Sequence, residues 1–124
     1  MIRGIGTDIV KIERIEKIIN RTPRFLEGAF TYLEICYYKT KKNNSESLAG
    51  IFAVKEAVSK ALGTGFRGFG LQDIEVIHDD LGKPSVSIND KITEKYCLDN
   101  CKIHVSISHT SEDAIAFVVI EEVR

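Results

Sequence analysis

The chain has 124 residues, 44% hydrophobic and 28% charged, with a formal net charge of −1. That is the length of one ordinary domain spanning 1–124 and the composition of a folded globular protein, which excludes a disordered chain. No apolar run nears the roughly 20 residues of a membrane span, and Asp8 interrupts the N-terminus before a secretory signal could form, so a cytoplasmic location is expected.

Ile2, Gly4, Ile5 and Gly6 read as a short strand over 2–8 that delivers Asp8 at its end. Its glycines let another backbone or a ligand approach closely. Ile9, Ile12, Ile15, Ile18 and Ile19 then recur at helical spacing and predict a helix over 9–20. Its other face carries Lys11, Arg14, Lys17 and Arg21, and Arg24 lies just beyond Pro23. A short helix over 32–38 and a basic loop over 39–44 follow. Ser45 or Ser47 is the expected cap of a long central helix, which runs to Leu62 and ends at Gly63. Strands are expected at 74–78 and 86–88 around a turn at 79–84, a helix at 90–98, and two more strands at 102–109 and 114–121. The pattern is α+β, with helices packed on a mainly antiparallel sheet.

Charge is unevenly spread. Residues 1–42 hold nine Lys/Arg against five Asp/Glu, and residues 43–124 hold eight against thirteen. A basic N-terminal third points to an acidic partner. Aromatics do not interleave with these bases, which argues against single-stranded nucleic acid. The three cysteines show no zinc spacing and read as incidental thiols, with Cys97 and Cys101 in a helical stretch.

The central helix is the most informative stretch. Glu56 and Lys60 are four residues apart and share a helix face whose neighbours are small or apolar. A carboxylate there needs a partner, and both Lys60 and a divalent metal qualify. Asp8 reads either as a helix N-cap or as a second carboxylate; together with Glu56 it would form the oxygen-ligand site that Mg²⁺ favours. Gly63-Thr-Gly65 is not a phosphate loop, because it follows a helix instead of preceding one. Ser106, Ser108 and His109 do not make a hydrolase: adjacent residues cannot orient each other as nucleophile and base, and no G-x-S-x-G elbow exists. His78 and His104 read as strand residues without metal spacing.

Three motifs stand in order: Gly4-Ile-Gly-Thr-Asp8-Ile-Val-Lys-Ile-Glu-Arg14, Phe52-Ala-Val-Lys55-Glu56-Ala-Val-Ser-Lys60-Ala-Leu-Gly-Thr-Gly65, and Val105-Ser-Ile-Ser-His109. With Leu71-Gln-Asp-Ile-Glu75 and Gly82-Lys-Pro84 between them, the chain resembles the holo-[acyl-carrier-protein] synthase family, the small class of 4′-phosphopantetheinyl transferases. The resemblance implies that family's fold and its reaction in fatty acid biosynthesis. That reaction moves the 4′-phosphopantetheine arm of coenzyme A onto a serine of apo-acyl carrier protein and releases adenosine 3′,5′-bisphosphate. It implies Asp8 and Glu56 as Mg²⁺ ligands and Lys60 as a catalytic phosphate contact. It assigns Lys60, Gly63, Gly65, Gly82, Lys83, Pro84, His109 and Thr110 to coenzyme A. It assigns Arg14, Lys17, Ile18, Arg21 and Arg24 to carrier-protein docking, and it implies a homotrimer with active sites between subunits. A carboxylate or a bound water is the expected general base. Ile51 departs from the arginine that relatives often carry before Phe52. The alternative is a non-catalytic module that binds an acidic partner through the basic helix.

Overall fold

The computed structural model describes residues 1–123. Strand β1 (Ile2–Lys11) leads into helices α1 (Ile12–Arg21), α2 (Arg24–Ala29), α3 (Tyr32–Lys39) and the long α4 (Asn44–Leu62). A 3₁₀ turn at Leu71–Asp73 precedes the hairpin β2 (Ile74–His78) and β3 (Pro84–Ile88), then α5 (Asp90–Lys95), β4 (Cys101–His109) and β5 (Asp113–Glu122). One antiparallel sheet has the order β1-β5-β4, and β2-β3 forms a second. The expected α+β architecture holds, with the sheet divided in two.

Alternation along β1 puts Gly4, Gly6, Asp8 and Val10 on the face toward α4, and Ile5 and Ile9 on the other, exposed face. In β5, Ala114, Ala116, Val118 and Ile120 are buried while Ile115 and Phe117 are exposed. Helix α4 packs against β1 and β5, with α1, α3 and β2 on its remaining sides. It is apolar nearly all round, as a helix enclosed by other elements must be.

The close packing of β1 on α4 depends on two glycines. A Cβ at Gly4 would stand 1.9 Å from the Ala61 carbonyl oxygen, and one at Gly6 would stand 1.8 Å from that of Ala57. Residues 49, 53, 57 and 61 are all alanine and buried, so a small-residue stripe meets the glycine edge of the strand.

Several boundaries differ from the sequence reading. β1 runs to Lys11 because its ladder with β5 continues to the Lys11–Asp113 pair, so α1 starts at Ile12. Asp8 is therefore mid-strand and caps nothing. Helix α4 starts at Asn44 behind Asn43, with no side-chain cap, so Ser45 and Ser47 lie inside it. Gly63 ends it as expected, in the left-handed region at φ 81°. Two short helices, not one, fill 24–39. α5 stops at Lys95, where Cys97 turns left-handed at φ 54° and Leu98 N–H bonds to Thr93 O at 2.8 Å. That is a Schellman-type ending. Cys97 is thus outside the helix and Cys101 opens β4; both are free thiols, as is Cys36.

Replacing Gly6 by alanine drives a methyl group into a backbone oxygen that cannot rotate away. Chemical denaturation should show a loss of about 3 kcal/mol or more. A loss below about 1 kcal/mol would mean that the strand and helix separate freely.

Candidate active site

Because β1 runs along α4 with Gly4 over Ala61 and Gly6 over Ala57, the next inward residue, Asp8, comes level with the turn that carries Glu56 and Lys60. The Lys60 ammonium donates to Asp8 Oδ1 at 3.1 Å and to the Thr7 carbonyl at 2.9 Å. Lys60 thus bridges to the strand, and the internal Glu56–Lys60 pair weighed from sequence does not form. The Thr7 carbonyl was invisible in the sequence, since any residue type could supply it.

Glu56 is left partly buried beside the Asp8 carboxylate. Burial first, and then the nearby Asp8 carboxylate, push its carboxyl above the ordinary value, and Lys60 and Arg14 offset this only in part. The one direct ammonium contact in the cluster, from Lys60, goes to Asp8, which leaves the Glu56 carboxylate without a bonded cation. Among the described residues no group of three or more His, Cys, Asp and Glu could enclose a metal. A pair of carboxylates is what a Mg²⁺ site needs from protein when water and phosphate complete the shell.

The remaining expected residues fall into three groups. Gly63 and Gly65 continue directly from Lys60, their N–H groups bonded to Lys60 O (3.0 Å) and Ser59 O (3.3 Å). Gly82 and Lys83 form the β2–β3 turn, where Leu81 and Lys83 N–H donate to Asp79 Oδ1 at 2.9 Å, and Pro84 opens β3. His109 ends β4 and Thr110 follows it. The His109 ring contacts Glu46 Oε1 at 2.9 Å, and Thr110 Oγ1 accepts from Glu112 and Asp113 N–H. His109 lies two strands and two residues from Asp8 in the ladder, about 12 Å between Cα atoms at ordinary spacings. Within one chain it does not join the carboxylates.

On α1, Arg14, Lys17 and Arg21 are exposed and Ile18 is half-buried; Arg24, at the start of α2, is also exposed. Lys17 pairs with Glu13 at 3.0 Å, whereas Arg14 is near enough for its charge to act on Glu56. Ile51 is fully buried in the core. His104 bonds Glu121 at 2.9 Å, and His78 stacks on Tyr37 at 4.0 Å between ring centroids.

The family model for the 4′-phosphopantetheinyl transferase superfamily matches residues 4–118. A holo-[acyl-carrier-protein] synthase from Clostridium botulinum (strain Eklund 17B / Type B) is 59% identical over 121 residues, 98% of each chain. The chain belongs to the holo-[acyl-carrier-protein] synthase family. Solved structures agree in shape. The Bacillus anthracis holo-(acyl-carrier-protein) synthase, in complex with CoA (3′,5′-ADP), superposes with a TM-score of 0.83 at 41% identity, covering 98% of both chains. The Neisseria meningitidis enzyme gives 0.88 at 34% identity, covering 98% of this chain and 99% of that one. Membership makes the chain a 4′-phosphopantetheinyl transferase, and the non-catalytic alternative is set aside.

The Glu56 geometry has a consequence for stability. The folded protein holds the Glu56 proton to a higher pH than the unfolded chain does, so this group's contribution is lost as pH rises from the ordinary glutamate range through the raised value. In chelator, Glu56→Gln should raise Tm at neutral pH, worth less than about 1 kcal/mol because solvent screens a half-exposed group. It should also flatten the pH dependence across that window. An unchanged or lower Tm would show that neither burial nor Asp8 loads Glu56.

Proposed function

We propose that this chain transfers the 4′-phosphopantetheine arm of coenzyme A to a serine of apo-acyl carrier protein. Mg²⁺ would be held by Asp8 and Glu56, and adenosine 3′,5′-bisphosphate released. The observation that carries this reading is the meeting of Asp8 and Glu56, from distant parts of the chain, beside an ammonium fixed by Asp8 and the Thr7 carbonyl. Bound there, Mg²⁺ would neutralise the bridging phosphates and stabilise the bisphosphate leaving group.

The serine oxygen bonds to the phosphorus that bears the pantetheine arm, and the bond from that phosphorus to the bridging oxygen breaks. The hydroxyl proton passes to a carboxylate or water, and the bridging oxygen departs with the bisphosphate. Lys60 contacts phosphate and the charge growing on the leaving oxygen, so positioning and electrostatics carry the reaction without a covalent enzyme nucleophile. The turn at Gly63 and Gly65 leaves Lys60 directly and faces the nucleotide, together with Gly82, Lys83 and Pro84. As the resemblance implies, the reaction serves fatty acid biosynthesis, in the cytoplasmic location expected from the sequence pattern. No helix among the described residues is long and apolar enough to cross a membrane.

Assembly completes the site. Ile5, Ile9, Ile115 and Phe117 are 59%, 62%, 40% and 46% exposed on the sheet face away from α4, an apolar patch that self-association would cover. In a homotrimer, His109 and Thr110 of one copy would reach coenzyme A held at the carboxylates of the next. That resolves their separation within a single chain.

The carrier protein docks on α1 through Arg14, Lys17, Ile18 and Arg21, with Arg24 beside them. Arg14 links this surface to Glu56, so a docked acidic partner would present its serine at the edge of the site.

Incubation with coenzyme A, Mg²⁺ and an apo-carrier protein should add the phosphopantetheine mass to the carrier. Asp8→Ala and Glu56→Ala should each lower transfer by more than about 100-fold while circular dichroism stays native. Transfer that survives either change, or continues in chelator, would remove the paired carboxylates from the mechanism. Lys17→Glu with Arg21→Glu should raise KM for the carrier about tenfold, the effect shrinking at high salt, with KM for coenzyme A held within about twofold. Equal changes for both substrates would place these bases elsewhere.

A further inference from the structure

Apart from the solvent-open carboxylate site, one ionic pair among the described residues is sealed in the interior. Lys55 and Glu34 are both fully buried, with Nζ 2.6 Å from Oε1. The ammonium also donates to Ala29 O at 3.0 Å and to Leu71 O at 2.9 Å, so each of its three protons has an acceptor. Glu34 Oε1 accepts from Thr31 N–H at 2.8 Å and Oε2 from Val76 N–H at 2.7 Å. An apolar pair of similar volume commonly folds as well as a buried ion pair or better, so stability alone does not account for the arrangement.

The partners of Lys55 suggest what it does. Leu71 closes the glycine-bearing loop that starts at Gly63. The opening end of that loop is tied to α4 through Gly63 N–H to Lys60 O and Gly65 N–H to Ser59 O. Its closing end is tied to the same helix through Lys55. Lys55 and Ser59 are one turn apart on a buried face, and Glu56 and Lys60 are one turn apart on the adjacent face. One helical turn therefore fixes the carboxylate site on one side and both ends of the loop on the other.

We propose that Lys55, locked by Glu34, is a positioning residue for the transfer reaction. It holds the loop over 63–70 in register with Glu56, so that the coenzyme A surface and the carboxylate pair keep one geometry. The inference rests on the reaction and coenzyme A assignment given under Proposed function.

The test compares wild-type protein with the double variant Glu34→Gln, Lys55→Met, which removes both charges and leaves no buried ion unpaired. With folding verified by circular dichroism and Tm, the variant should lose about tenfold or more in kcat. It should also raise KM for coenzyme A about tenfold, with KM for the carrier within about twofold, the size expected when an outer support of a site is lost. A folded variant with wild-type kcat and wild-type KM for both substrates overturns the proposal. Wild-type protein runs in the same assay, and a wild type without transfer would refute the reaction itself and not the coupling. If the variant does not fold, the ¹⁵N resonance of the Lys55 ammonium in the wild-type protein gives a second reading. It should shift on adding coenzyme A with Mg²⁺, and a resonance that stays in place while coenzyme A binds overturns the link.

Discussion

The contact between two glycines of β1 and two alanine carbonyls of α4 governs the placement of everything chemical in this protein. Two residues of strand advance about 6.8 Å and four residues of helix about 6.0 Å, so Gly4 and Gly6 can meet Ala61 and Ala57 together. At separations of 1.8 and 1.9 Å from a notional Cβ, no side chain fits between them. The strand therefore lies against the helix backbone, and the next inward position is held within reach of Lys60. Asp8 occupies that position. Had any larger residue stood at Gly6, the strand would stand off and Asp8 would lose Lys60 and Glu56 together.

Helix α4 turns that contact into a site because its faces are assigned to different neighbours. Ala57 and Ala61 meet β1, Lys55 and Ser59 hold the following loop, and Glu56 and Lys60 face Asp8. A helix surrounded this closely cannot rotate to relieve strain at one face without disturbing the others. Burial on this scale is expensive for any polar group left unpaired, which is why its inward Lys55 is satisfied at all three donors.

Much of this was legible in the sequence, and the failures have physical causes. The end of α4, its Gly63 cap, the β2–β3 hairpin and the last two strands follow from periodicity and turn chemistry, whereas the start of α4 lies ahead of the serines expected to cap it. The β1–α1 boundary did not, because Ile9 fits both a strand alternation and the helical series through Ile12 and Ile15. Only the ladder to Asp113 decides between them. The carboxylates were singled out from residue type and spacing, yet the partner of Lys60 lies some fifty residues away on another element, beyond any local rule. Glu34 gave no signal either. It sits in a capping box with Thr31, a pattern that ordinarily marks an exposed helix start, and only packing reveals that its carboxylate is sealed under Lys55 and Val76.

The two ionic clusters on α4 differ in a way that separates support from chemistry. At Lys55–Glu34 every donor has an acceptor, both carboxylate oxygens are engaged, and no solvent reaches the pair. Such a cluster has no capacity left for a ligand, and its charges balance. At Asp8–Glu56–Lys60 there are two carboxylates and one ammonium bonded only to Asp8, Glu56 is raised by burial and by its neighbour, and the group is open to solvent. An unbalanced and accessible cluster is stabilised by whatever brings the missing positive charge. A balanced and sealed one can only hold its surroundings in place. That they occupy consecutive residues, Lys55 and Glu56, means a single turn of helix sets the rigidity of the one against the demand of the other.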